Sequence, residues 1–134
     1  MIPLYKPFMP EVPSVNEILH SGQLAYGKFG WEFERKLKDF IGVENLITTN
    51  TFNMSILVAL STIEVKAGDA VIASPMACLA STQPLLSMGV KILWADVEPT
   101  TGTLSPNSVR ELAKLKPKVI IHNHYCGHVG FVDE

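Results

Sequence analysis

The stretch from Asn45 to Leu60 contains the residues of this chain whose chemistry is easiest to anticipate. An apolar run passes there through a short polar turn, formed by Thr51, Phe52 and Asn53, into an amphipathic helix. The first N–H groups of a helix have no partner inside the helix and lie at the positive end of its dipole. Backbone geometry alone could therefore bind a phosphate group at this turn. The alternative is that Asn53 caps the helix and binds nothing.

A second group of candidate residues lies near the end of the chain, in the order His122, His124, Cys126 and His128. Alternation along an extended strand would place all four on one face, as a zinc or copper site requires. However, we expect Gly127 to bend the chain, and metal sites with this spacing usually recruit a ligand from a distant element. The alternatives are a structural role for the cluster, or a role for His124 or His128 near a cofactor or substrate.

The elements that would position these residues alternate along most of the chain. Apolar runs predict strands at residues 44–49, 70–74, 90–95 and 118–124, with helices at 53–65, 77–87 and 106–115. The strands are apolar throughout, which is typical of a sheet covered by helices on both faces. The sequence therefore predicts a single α/β domain over residues 1–134, a three-layer sandwich with a mostly parallel sheet.

Two further helices are predicted before the first of these strands. Ser14 and Glu17 have the spacing of a capping box, and Gly22 would end this short first helix. A second helix is predicted up to Gly42 because apolar side chains recur there about every four residues. These side chains are Phe29, Phe33, Leu37 and Phe40.

Composition narrows the classes of function. The 134 residues are 47% hydrophobic with a net charge of −2, and the lysines are spread singly, so nucleic acid is not an expected partner. Cys78 and Cys126 both lie in apolar segments, which argues against a disulfide framework and for a reducing cytosol. No apolar stretch approaches the about 18 residues that span a membrane, and the first residues do not resemble a signal peptide. We expect a cytoplasmic protein without a membrane partner.

Several short segments carry a resemblance to a known family. In chain order they are residues 21–27, residues 31–34, the turn at 51–53 with Ala59, Leu60 and residues 67–75 behind it, residues 94–99, and His124 with Gly127. Together they resemble the DegT/DnrJ/StrS family of sugar aminotransferases, which are pyridoxal-phosphate (PLP) enzymes of fold type I. The resemblance implies that the chain is the incomplete, N-terminal portion of the large domain of such an enzyme.

The resemblance also assigns cofactor roles by position. Thr51, Phe52 and Asn53 fall on the turn that binds the PLP phosphate, with Phe52 where the family has glycine and Asn53 where it has threonine. Phe52 must then keep an ordinary φ and turn its ring away. Cys78 and Leu79 fall on the segment whose aromatic side chain normally stacks on the pyridine ring, and a leucine offers dispersion without π-stacking. The alternative is that both pack the first turn of a buried helix.

The substrate side of the site follows from the same resemblance. Tyr26, Gly27 and His124 fall on positions that it places close to the substrate, although an ordinary glycine-containing loop would equally account for Tyr26 and Gly27. The implied reaction is PLP-dependent transfer of an amino group to a keto sugar nucleotide, in a homo-oligomer. The lysine that would bind PLP is expected after Glu134, so we expect the chain alone to be inactive as a transaminase.

Two alternative functions remain open at this point. One is a relative within the same family that uses PLP to dehydrate a sugar or that has lost catalysis, which the departures at Phe52 and Leu79 favour. The other is a small metal-binding or interaction domain built on the cluster of His122, His124, Cys126 and His128.

Overall fold

The computed structural model describes residue 3 and residues 6–134. The chain divides into two compact units, residues 1–48 and residues 49–134. Within the described ranges, no helix is both long enough and apolar enough to cross a membrane. The formation of one domain by the whole chain stays a prediction.

Two helices form the first unit, α1 at Ser14–His20 and α2 at Lys28–Ile41. The predicted end of α2 is confirmed, because Gly42 adopts a left-handed φ of 76° and its N–H donates to the carbonyl of Lys38. The predicted capping box is wrong. Pro13 already has helical dihedral angles and takes the N-cap position, so Ser14 is helical and its side chain makes no capping hydrogen bond.

The strand predicted at residues 44–49 is also wrong, since this segment has no regular secondary structure. A strand is stabilised by backbone hydrogen bonds to a neighbouring strand, and its apolar pattern alone does not supply that neighbour. The N–H of Thr48 instead donates to the carboxylate of Glu34, at 2.7 Å between nitrogen and oxygen. One of the donors that a sheet would use is therefore occupied by a side chain.

In the second unit, helices and parallel strands alternate as predicted. The elements are α3 at Phe52–Thr62, β1 at Ala70–Ala73, α4 at Leu79–Ser87, β2 at Lys91–Trp94, α5 at Pro106–Ala113 and β3 at Val119–Ile120. The three strands are parallel in the order β2-β1-β3, and Ile72 of β1 pairs with Leu93 on one side and Ile120 on the other. The last strand is shorter than predicted and ends before the histidines.

Helices cover both faces of this sheet, which confirms the three-layer α/β arrangement. Val71 and Ala73 of β1 point to one face and pack in a cluster with Leu60 of α3 and Leu85 of α4. Ile72 points to the opposite face, where the buried residues are Leu93, Ala95 and Leu104, with Val109 and Leu112 of α5 packed against them. Because side chains alternate along a strand, one apolar run can supply both clusters.

Candidate functional site

The carboxyl edge of the parallel strands is where open α/β sheets bind ligands. The N–H of Ile121 donates to the carbonyl of Ile72, so β1 and β3 stay in register to their ends. Ser74 is the residue that follows β1, and His122 is the second residue after the end of β3. Ser74 is only 3% exposed and its hydroxyl accepts from the N–H of Met76. Ser74 ends the strand predicted at 70–74, but no local pattern in the sequence indicates that its hydroxyl caps the next turn.

The polar turn before α3 forms the start of that helix. Thr51 is the N-cap, with extended dihedral angles, and its hydroxyl oxygen accepts from the N–H of Met54 at 3.2 Å. Phe52 and Asn53 are the first two helical residues, one residue earlier than predicted. Phe52 has a negative φ, and its side chain is 57% exposed. Phe52 thus has the ordinary, negative φ that the resemblance requires.

The donors at this turn match the phosphate end of PLP. In the part of the chain that the structure describes, the N–H groups of Phe52 and Asn53 have no hydrogen-bond acceptor. The hydroxyl of Thr51 uses a lone pair for capping and keeps its proton available for donation. Two N–H groups and one hydroxyl at the positive end of an eleven-residue helix can hold an anion. The residues present therefore fit a phosphate group.

The second predicted cofactor element begins α4. Cys78 is its N-cap and Leu79 its first residue, and Leu79 is 65% exposed. Cys78 is a free, exposed thiol. The alternative that both side chains pack the first turn of a buried helix is therefore wrong, since the buried residues of α4 come later, from Ser81 onward. A role of Cys78 and Leu79 toward the cofactor stays a prediction.

A hydrogen bond between α3 and α4 joins the two elements predicted to contact the cofactor. The side-chain nitrogen of Asn53 donates to Oε1 of Gln83, at 3.3 Å. Gln83 lies one helical turn beyond Leu79, so the start of α4 and the turn at 51–53 are neighbours. Sequence reasoning missed Gln83, because a glutamine on a helix carries no local sign of its partner 30 residues away.

The histidine cluster does not form the single face that the metal hypothesis requires. β3 ends at Ile120, and Tyr125–Gly127 is a 3₁₀ turn in which Cys126 has a φ of 52° and Gly127 a φ of 83°. The bend expected at Gly127 is therefore confirmed, and the strand predicted at 118–124 is wrong beyond Ile120. Over residues 6–134, no group of three or more His, Cys, Asp or Glu side chains could hold a metal ion.

The rings of His122 and His124 instead pack edge to face, with their centroids 5.0 Å apart. The Nε2 atom of His122 is buried and has no hydrogen-bond partner within the described chain. Burial, and to a smaller extent the neighbouring His124, lower the pKa of His122 below its usual value. The surroundings of His122 thus favour its neutral form, whereas His124 is exposed. A substrate role for His124 stays a prediction.

Tyr26 and Gly27 lie in the first unit. Gly27 is buried and is the N-cap of α2, with extended dihedral angles. The hydroxyl of Tyr26 donates to Oε2 of Glu34, and this contact, together with burial and the negative charge of Glu34, raises the pKa of Tyr26 to about 12. Hydrogen bonds from Tyr26 and then Thr48 lower the pKa of Glu34. In the sequence Glu34 belongs to the segment 31–34 of the family resemblance, and no local pattern indicates its partners.

Comparison with known proteins identifies the family of this chain. A model of the DegT/DnrJ/EryC1/StrS aminotransferase family matches residues 9–134. The spore coat polysaccharide biosynthesis protein SpsC of Bacillus subtilis is 25% identical over 117 residues, which are 87% of this chain and 30% of SpsC. GDP-perosamine synthase of Vibrio cholerae is 25% identical over 130 residues, which are 95% of this chain and 35% of that enzyme. The chain thus spans about a third of the length of the curated relatives that it matches.

A solved structure shows the same likeness in three dimensions. The PMP form of Spr1654 from Streptococcus pneumoniae superposes with a TM-score of 0.89 at 26% identity, covering 98% of this chain and 34% of Spr1654. The family model covers nearly the whole sequence, from residue 9 to residue 134. This chain therefore belongs to the DegT/DnrJ/EryC1/StrS aminotransferase family.

Proposed function

We propose that this chain supplies the phosphate-binding end of a PLP site in an enzyme that transfers an amino group to a keto sugar nucleotide. The observation that carries the proposal is the start of α3, where the N–H groups of Phe52 and Asn53 and the hydroxyl of Thr51 are available to one anion. The PMP form of Spr1654 and the name of GDP-perosamine synthase support the cofactor and the class of substrate.

PLP, when bound, supplies the electron sink that amino-group transfer needs. The chain's own residues bind and orient it. The dipole of α3 and the donors of Thr51, Phe52 and Asn53 hold the phosphate, and charge-assisted hydrogen bonds of this kind are about twice as strong as neutral ones. Leu79, exposed at the start of α4, is available to cover one face of the ring by dispersion.

On the substrate side we propose Tyr26, Gly27 and His124. Tyr26 and His124 are exposed and carry polar tips, as groups that orient a sugar hydroxyl or an amino donor must. Gly27 contributes a backbone position without a side chain. A keto sugar nucleotide and an amino donor are the small-molecule partners, and assembly into a homo-oligomer is part of the same proposal.

A pair of ligands tests the phosphate site directly. PLP and pyridoxal share the ring and the aldehyde but differ in the phosphate, so their difference isolates the proposed contact. We expect PLP to shift the backbone amide resonances of Phe52 and Asn53 in a saturable way, and pyridoxal to leave them in place. Amide chemical shifts measured by NMR during titration with each ligand give the result. Equal shifts with both ligands, or none with PLP, would contradict the proposal.

The start of α5 serves as a control within the same molecule. This helix also begins after an N-cap hydroxyl residue, Ser105, but its first residue is Pro106, which has no N–H to donate. We expect the amides of Asn107 and Ser108 to stay unchanged under PLP. Shifts at both helix starts would indicate general attraction of anions to helix dipoles.

The alternative within the family is a PLP-dependent sugar dehydratase or an inactive relative. Both would use the same turn to bind the phosphate. PLP binding therefore supports the transaminase, the dehydratase and the inactive relative equally, and argues only against a protein that does not bind PLP. The residues at Phe52 and Leu79, which differ from the family pattern, favour a divergent branch. Amino transfer from glutamate to a keto sugar nucleotide, assayed with a longer protein that includes a lysine able to bind PLP, separates the transaminase from the other two.

A further inference from the structure

Glu34 joins two segments of the first unit. Its Oε2 atom accepts a hydrogen bond from the hydroxyl of Tyr26, at 2.5 Å between the oxygens. Its Oε1 atom accepts from the N–H and from the hydroxyl of Thr48, at 2.7 and 2.8 Å. Each carboxylate oxygen has its own partner, so the group cannot rotate to release one without losing the other. Lys38, one turn further along α2, is the other charged group that acts on this carboxylate.

The ring of Tyr26 is held as well as its hydroxyl. A Cβ atom at Gly30 would lie 2.9 Å from two ring carbons of Tyr26, so the ring occupies space that only glycine leaves open. The ring of Trp31 packs edge to face against it, with the centroids 6.2 Å apart. Tyr26 is 51% exposed. Its phenol is therefore fixed in orientation while one side remains accessible to a ligand.

We propose that Glu34 is a positioning residue that accepts the hydrogen bond donated by the phenol of Tyr26, so that the oxygen of Tyr26 meets a ligand only as a hydrogen-bond acceptor. A phenol has one proton to donate, and donation to Glu34 uses it. The ligand group opposite Tyr26 must then carry hydrogen, as a sugar hydroxyl or an ammonium does. A phosphate oxygen is disfavoured there. The inference rests on the substrate-binding role proposed for Tyr26.

The contact has a measurable signature in the ionisation of Tyr26. The hydrogen bond to Glu34, burial and the charge of Glu34 raise the pKa of Tyr26 from 10.0 to about 12. At a pH of about 10.5 such a phenol is about 3% ionised, whereas a phenol with the ordinary pKa is about 76% ionised. Phenolate absorbs in the near ultraviolet, and subtraction of a Tyr26→Phe counterpart isolates this one tyrosine.

Glu34→Gln is the discriminating variant. It keeps a carbonyl oxygen for Thr48 and replaces the oxygen that faces Tyr26 by an amide group that donates. We expect the ionised fraction of Tyr26 at a pH of about 10.5 to rise from about 3% in the unmodified chain to about three quarters in the variant. Glu32→Gln is the matched control. It removes the same charge from the same helix, where Glu32 pairs with Lys36, and should leave Tyr26 unchanged.

The unmodified chain decides the proposal even if Glu34→Gln does not fold. The proposal is overturned if Tyr26 is ionised like a free tyrosine at a pH of about 10.5 while far-ultraviolet circular dichroism shows folded protein. In that case the phenol of Tyr26 does not donate a hydrogen bond to Glu34. Equal ionised fractions in the unmodified chain and in folded Glu34→Gln would overturn it as well. Because no measurement here uses PLP or a sugar nucleotide, its failure is distinct from a failure of the proposed PLP site.

Discussion

The substitution Asn53→Asp is expected to weaken PLP binding by roughly ten- to a hundredfold, which corresponds to about 1.4–2.7 kcal/mol. The change adds a negative charge on the second residue of α3, beside the N–H groups proposed to hold the phosphate. Like charges a few ångströms apart repel each other even after screening by water and salt. The variant also loses the side-chain donor that Asn53 offers to Gln83.

This substitution separates binding from stability. An aspartate in the first turn of a helix interacts favourably with the helix dipole, by about 0.3–1 kcal/mol, so the fold should not weaken while PLP affinity falls. Asn107→Asp is the matched control because Asn107 is the second residue of α5, the equivalent helical position. Titration with PLP and thermal unfolding of both variants provide the comparison. Unchanged PLP affinity in Asn53→Asp would place the phosphate elsewhere.

The substitution Leu85→Ala is expected to lower the free energy of unfolding by about 2–5 kcal/mol, through lost burial and the cavity left behind. Leu85 of α4 is fully buried in the cluster with Val71 and Leu60. The total stability of a domain is typically about 5–15 kcal/mol, so the loss is a large fraction of it. The midpoint of urea unfolding measures the change.

The next residue along the same helix provides the control. Leu86 is 63% exposed, and Leu86→Ala makes the same change in helix propensity at a position outside the core. We expect Leu86→Ala to shift the free energy of unfolding by no more than about 0.5 kcal/mol. Similar losses in both variants would mean that α4 does not pack on the sheet as described.

Prediction from sequence succeeded for elements whose conformation is decided by residues adjacent in the chain. The runs at 70–74 and 90–95 became strands, because continuous apolar stretches of this length are stable when helices cover both faces. The polar turn at 51–53 became a helix start because Thr51 can cap it with its own hydroxyl. The left-handed end of α2 at Gly42 has the same kind of local cause.

Prediction failed where a partner far along the chain decided the outcome. The segment 44–49 has the apolar pattern of a strand, but the N–H of Thr48 is bonded to a side chain 14 residues earlier. The strand predicted at 118–124 is apolar at its start, but its pairing with β1 ends at Ile120.

The amino-acid sequence by itself thus determined the family, the alternation of helices and strands in the second unit, and the turn that fits a phosphate. These properties depend on patterns within a few residues, where backbone sterics and the first turn of a helix decide the geometry. Only the tertiary structure decided that Asn53 meets Gln83, that the Nε2 atom of His122 is buried, and that Glu34 joins Tyr26 to Thr48. Such contacts form between side chains distant in sequence, and their free energy exists only once folding has brought both partners together.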